Sequence, residues 1–188
     1  SIVKYKYSDV DFVSFSGHKL YGPTGIGCLC VNKKHFDKMD TYQVGGGIVT
    51  EVKKHGQTYI DGCGKYEAGT PNIVGAIALA SAIDFMNEIG INKITEHSNY
   101  LTKILYEKLK SLNYIRIVGE PERRLGIVSF LVEGSHPHDV ALLLDNRGIS
   151  VRAGHHCAQP AMRHFNVDTT LRVSFGVYNN EEDIDNFL

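Results

Sequence analysis

The stretch Ser14-Phe-Ser-Gly-His-Lys-Leu-Tyr-Gly-Pro-Thr-Gly-Ile-Gly27 constrains this chain more than any other. A short apolar run, Phe12 to Phe15, predicts a buried strand. It passes into Ser16, Gly17, His18 and Lys19, then a glycine-rich turn, then a second apolar run from Ile26 to Val31. A lysine at a strand end, between small residues and beside a histidine, suits an amine that does chemistry, because burial disfavours the ammonium and bares the lone pair. Amines activated in this way condense with carbonyl groups to form Schiff bases. A surface lysine in a tight turn is the alternative from these residues alone.

The bulk numbers bound the rest. The chain has 188 residues, 43% hydrophobic and 22% charged, enough for one domain with a substantial core or for two small ones. A net charge of −1 and a pI of about 6.7 give no electrostatic case for nucleic acid or a membrane surface. Its apolar runs are far too short to span a bilayer. It opens on Ser1 through a mixed, polar Ile-Val-Lys-Tyr-Lys-Tyr with no secretory pattern, and we expect a fragment or a processed piece. Of the cysteines, Cys28 and Cys30 fall on one face of one predicted strand, a poor disulfide geometry, and are expected as small core residues. No CxxC occurs, and a reducing compartment is the simplest expectation.

Along the chain, Asn32 to Asp40 predicts a short charged helix. Tyr42 to Glu67, with Gly45-Gly46-Gly47, Gly56, Gly62 and Gly64, predicts a long loop. Long loops inside compact domains are uncommon unless they line a site or reach a partner. Thr70 followed by Pro71 predicts a helix start, a hydroxyl cap and then proline at the first helical position. That helix runs to about Ile89, with Ile73, Ala76, Ile77, Ala80 and Ile83 as its buried stripe, and Gly90 ends it. Its amide end suits an anion, and a well-capped core helix serves equally. An amphipathic helix over about Asn92 to Leu112 follows, apolar at Ile94, Leu101, Ile104, Leu105 and Leu109.

Strands are predicted at Ile115 to Val118 and Gly126 to Val132, around a polar turn in which Arg123 and Arg124 carry no assigned function. A helix over His138 to Asn146 comes next, with His136 and His138 as cap or surface residues and Gly148 as its stop. A strand at Ile149 to Arg152, a helix over Pro160 to Phe165, a strand at Leu171 to Phe175 and a terminal helix from Glu181 complete an alternation of strands and helices. Such an alternation predicts an α/β or α+β layer.

Two residues in this second half stand out. Cys157 lies in a loop after a glycine and two histidines. Nearby cations (Arg152, His155, His156) or the helix towards Pro160 would lower its pKa and favour thiolate; a buried structural thiol is the alternative. Adjacent His155, His156 and Cys157 make a poor tetrahedral metal set. Arg172 is a lone arginine in an apolar strand, and its planar fork requires a carboxylate, either internal or from a ligand.

Five pieces in this order resemble the pyridoxal-phosphate cysteine desulfurases of the class V aminotransferase-like family: Ser16 to Gly27, Gly45 to Gly47, Glu67 to Asn72, Arg152 to Cys157, and Leu171-Arg172. The closest likeness is to the SufS-type, group II enzymes, which include selenocysteine lyases. The resemblance covers nearly the whole chain but only the carboxyl-terminal half of such an enzyme. It implies the end of a fold-type I large domain over 1–72, a linking helix over 73–90 and a small α+β domain over 91–188.

By resemblance, Lys19 holds pyridoxal 5'-phosphate as a Schiff base, Ser16 and His18 bind its phosphate, and Thr70 reaches the phosphate of the other subunit of a homodimer. Arg172 clamps the substrate carboxylate, Cys157 accepts sulfur, and Arg152 and His156 support it. The implied reaction turns L-cysteine into L-alanine, leaves a persulfide on Cys157, and passes sulfur to a SufE- or SufU-like acceptor for iron–sulfur assembly. The implied location is the cytoplasm or a plastid-type organelle. The residues that stack on and pair with the cofactor ring lie outside this sequence. Asp9 and Asp11 are not assigned that role, and Cys63 has no counterpart. The fragment is therefore expected to be inactive alone. Selenocysteine lyase, or a non-catalytic dimerisation module, are the competing expectations.

Overall fold

The structure is a computed structural model that describes residues 10–122 and 124–188; Asp9 and Arg123 lie outside the described residues. The chain forms two units, one through Ile89 and one from Gly90 to Leu188.

In the first unit, β1 (Phe12–Ser16) pairs antiparallel with β2 (Gly27–Val31), Ser16 opposite Gly27. The strands are where the apolar runs place them, but they are not buried: Phe12 is 48% and Leu29 56% exposed. Cys28 is exposed and Cys30 half-buried, so they are not core residues. They do share a face, with their sulfurs 3.9 Å apart. Asn32 to Asp40 forms a 3₁₀ turn (Lys33–Lys38) rather than an α-helix, and the Lys34 amide donates to Asn32 Oδ1. Asp11 pairs with Lys34 and His35, both of which hold its carboxyl below the usual range.

The predicted long loop contains a hairpin, β3 (Val49–Lys53) and β4 (Gly56–Tyr59), and a 3₁₀ turn (Gly62–Tyr66). Thr50 and Thr58 hydroxyls bond across the hairpin at 2.7 Å. Polar residues fill most of its positions, so the alternation that marks a half-buried strand is missing.

Helix α1 (Ile73–Ile89) starts later than Thr70-Pro71 predicts. Asn72 is the cap: its Oδ1 accepts from the Gly75 amide at 2.9 Å. The buried positions are Gly75, Leu79 and Met86, not the isoleucine stripe; Ile73 is 57% and Ile77 64% exposed. Both faces of α1 are apolar, so the period alone could not select the inner one.

The second unit follows the sequence closely. A four-stranded antiparallel sheet runs in the order β5 (Ile115–Ile117), β6 (Ile127–Val132), β8 (Thr170–Ser174), β7 (Arg152–Gly154). The predicted Ile149–Arg152 strand is displaced to begin at Arg152, because Ile149 closes the preceding helix end by donating to Leu144 O. On one sheet face lie α2 (Ile91–Lys110), α3 (Pro137–Asp145) and α5 (Glu181–Phe187), which bury Leu101, Leu105 and Leu109 against Val128, Phe130, Leu171 and Ile184. His136 caps α3 through Nδ1, and Asn180 with Asp183 forms a capping box on α5. Helix α4 (Gln159–His164) is a short turn and a half between β7 and β8.

Candidate active site

Two clusters carry the predicted residues, one in each unit. In the first, Ser16 ends β1 and a 3₁₀ turn (Gly17–Lys19) presents His18 and Lys19. The Gly17 amide donates to Ile26 O at 2.9 Å, and the Gly22 amide folds back onto Gly17 O at 3.0 Å. Glycine is required there by contact: a Cβ on Gly17 would stand 2.8 Å from Ile26 Cγ2, and one on Gly22 would stand 2.9 Å from Gly17 O.

Helix α1 buttresses this turn. Leu79 packs at Gly22, and Phe85 meets Tyr21 edge to face at 6.3 Å. Asn72 spans the two motifs, its amide donating to Gly25 O at 3.1 Å while its carbonyl caps α1. Gly75 leaves room for that side chain. Sequence reasoning missed Asn72; an asparagine immediately before an apolar run was the available signal. Thr70 is exposed two residues before it.

Lys19 is exposed in this unit rather than held at a buried strand end. Among the described residues no carboxylate pairs with it. A hydroxyl, an imidazole and an unpaired amine on one glycine-tight turn fit a phosphorylated aldehyde such as pyridoxal phosphate: hydrogen-bond donors for its phosphate and an amine for its carbonyl.

The second cluster occupies the sheet face opposite the helices. Pairing puts Arg172 of β8 directly across from Ser129 of β6 and Arg152 of β7. Two arginines opposite each other repel, and no carboxylate among the described residues joins them. Burial first and Arg152 second hold the Arg172 guanidinium below its ordinary pKa, while Cys157 acts in the opposite sense. Arg172 Nε is buried with no hydrogen-bond partner among the described residues. Among the described residues the internal salt bridge considered from the sequence is therefore absent, and the guanidinium fork has the shape to take a carboxylate.

Cys157 is exposed and belongs to an open cavity of about 590 Å³, lined also by Arg152, His155, His156 and Gln159. His156 does not act as a cation beside the thiol. Its Nε2 turns to Thr170, 3.1 Å from the carbonyl and 2.9 Å from Oγ1. Burial, only partly offset by that bond, holds its pKa below the ordinary value.

With that geometry in place, comparison gives a consistent result. The sequence profile of the aminotransferase class-V family matches residues 2–187. This chain belongs to the class-V aminotransferase family. Among curated relatives, a probable cysteine desulfurase of Staphylococcus epidermidis is 45% identical over 181 residues, covering 96% of this chain and 44% of its own. One from Halalkalibacterium halodurans is 47% identical over 175 residues, covering 93% and 43%. The apo cysteine desulfurase of Thermococcus onnurineus superposes with a TM-score of 0.90 at 42% identity, covering 94% of this chain and 45% of that one. The class-V chain thus has the expected α/β fold and spans under half the length of the relatives it matches.

Proposed function

We propose that this chain is the carboxyl-terminal part of a pyridoxal-phosphate cysteine desulfurase of the SufS type. The observation that carries the proposal is the second cluster: an exposed thiol beside an arginine that lacks a carboxylate, in a chain 45% identical to a probable cysteine desulfurase. In this reading, residues up to Asn72 end the cofactor-binding domain, α1 links, and the unit from Gly90 carries the sulfur chemistry.

Each side chain has a task that its chemistry permits. Ser16 and His18 donate to the cofactor phosphate, and Thr70 donates to that of a second subunit. Lys19 would hold the cofactor through its amine, and that amine is the base that would move a proton at the substrate Cα. The bound cofactor supplies an electron sink. Arg172 binds the substrate carboxylate through its fork, with Arg152 adding positive charge from the neighbouring strand. Cys157, as thiolate, attacks the substrate sulfur. The new S–S bond forms as the Cβ–S bond breaks, and its electron pair is left on the substrate carbon and then protonated. L-alanine departs and Cys157 keeps a persulfide, which a SufE- or SufU-like acceptor protein removes towards iron–sulfur assembly.

The test uses the full-length chain with pyridoxal phosphate and L-cysteine. Cys157→Ser should keep the visible absorbance of the bound cofactor and form no persulfide. Lys19→Ala should lose that absorbance. Sulfide release by Cys157→Ser at the original rate in the presence of acceptor would refute the proposal. Retention of the lysine-linked spectrum by Lys19→Ala would do the same.

A further inference from the structure

The turn that carries the thiol is held in an unusual conformation. His156 and Cys157 both have positive φ, 54° and 58°, and the Ala158 amide donates to His155 O at 2.9 Å. Positive φ at both central positions with that closing bond matches a type I′ turn, which asparagine and glycine populate far more readily than a histidine–cysteine pair. A strained turn persists only where its surroundings over-determine it. Something must therefore hold this one.

The hold is the imidazole of His156. A carbonyl oxygen can only accept, so the 3.1 Å contact with Thr170 O puts the hydrogen on Nε2, and the Thr170 hydroxyl at 2.9 Å shares that donor. Thr170 is fully buried at the start of β8, two residues before Arg172 on the same sheet face. His156 Nδ1 is buried and takes no hydrogen bond from any described residue, so the ring is fixed through Nε2.

Resting on the reading of Cys157 as sulfur acceptor, we infer that Thr170 and His156 are positioning residues: the Nε2–Thr170 bond locks the type I′ turn and fixes the sulfur relative to the strand that carries Arg172. Neither residue touches the sulfur that moves. Their effect is to keep the thiol at one place over the substrate subsite.

Two substitutions at one position separate this lock from simple turn preference. Glutamine places an amide N–H where Nε2 stands but disfavours positive φ. Asparagine favours positive φ but reaches only as far as Nδ1. If the lock governs, His156→Gln keeps the turn and His156→Asn loosens it; if local preference governs, the order reverses. Hydrogen exchange of the Ala158 amide on the full-length protein reads the turn directly. We expect exchange faster by roughly tenfold in His156→Asn, near the original rate in His156→Gln, and intermediate in Thr170→Val, which retains the carbonyl acceptor. Leu171, in the core, should keep its protection in all three, excluding general unfolding.

With pyridoxal phosphate and L-cysteine, His156→Asn should lower kcat for persulfide formation roughly tenfold with KM nearly unchanged, since substrate binding is left to Arg172. Unchanged Ala158 exchange in His156→Asn, or faster exchange in His156→Gln than in His156→Asn, would overturn the lock. Exchange as expected but no Cys157 persulfide in the unsubstituted protein would instead overturn the functional reading and leave the turn anchor standing.

Discussion

At the scale of single residues, charge and hydrogen-bond satisfaction separate side chains able to take a ligand from those already used within the fold. Among the described residues nothing partners the buried Nε of Arg172, whereas Arg124 stacks on Tyr106 at 4.0 Å and donates to Gly119 O, so its cation is already used. His156 makes a pH prediction. Its folded value lies below the ordinary 6.5 because burial disfavours the imidazolium, with Arg172, Arg152 and His155 adding repulsion and the Thr170 bond opposing. On acidification the unfolded chain takes up this proton first. The histidine's contribution to stability is therefore present above 6.5 and is lost as pH falls through the lower folded value. Denaturant titrations between about pH 7 and about pH 5.5 should show a smaller acid loss in His156→Gln than in the original protein. Equal losses would contradict the assignment of that proton.

Among elements, α1 and α2 behave differently for a reason their sequences explain in part. Helix α2 has one apolar side, and Leu101, Leu105 and Leu109 are all buried by it. Leu105→Ala, at a site with no exposure, should cost about 2–5 kcal/mol, read as a lowered denaturant midpoint with an unchanged slope. Helix α1 is apolar on more than one face, and its inner side was decided by Leu79 meeting the glycine turn at Gly22 and by Gly75 making room for the Asn72 side chain. Asn72→Ala removes both the α1 cap and the bond to Gly25. We expect a loss of about 1–2 kcal/mol and, in the full-length protein, weaker cofactor retention, because the turn carrying Lys19 loses its tie to α1. Undiminished retention in an equilibrium dialysis comparison would show that the tie does not matter to the turn.

The whole molecule divides into a unit with a closed core and one with much apolar surface uncovered. From Gly90 onward, a four-stranded sheet and three helices share one cluster of buried side chains. Among the described residues through Ile89 the sheets are two-stranded, and Phe12, Leu29, Val52, Ile73, Val74 and Ile77 stay exposed. Two-stranded sheets are marginal without further strands or packing. Hydrogen exchange on this 188-residue chain should therefore find β6 and β8 amides the slowest and β1 and β2 amides markedly faster. Equal protection would mean that the first unit is more stable than its packing suggests. Among the described residues, no single helix is long and apolar enough to cross a membrane.

What the amino-acid order settled was the kind and succession of elements in the second unit, the strand–turn–strand around Lys19, and the family. Those features rest on local alternation, glycine positions and short motifs, all carried by near neighbours in the chain. The hairpin at Val49–Tyr59, the inner face of α1, the capping by Asn72 rather than Thr70, and the exposure of Lys19 and Cys28 were decided only by the fold. So was the bond from His156 to Thr170, fourteen residues apart. Local pattern says which residues prefer to leave water. Which of them succeed, and which polar atoms find partners, depends on what the distant parts of the chain bring within a few ångströms.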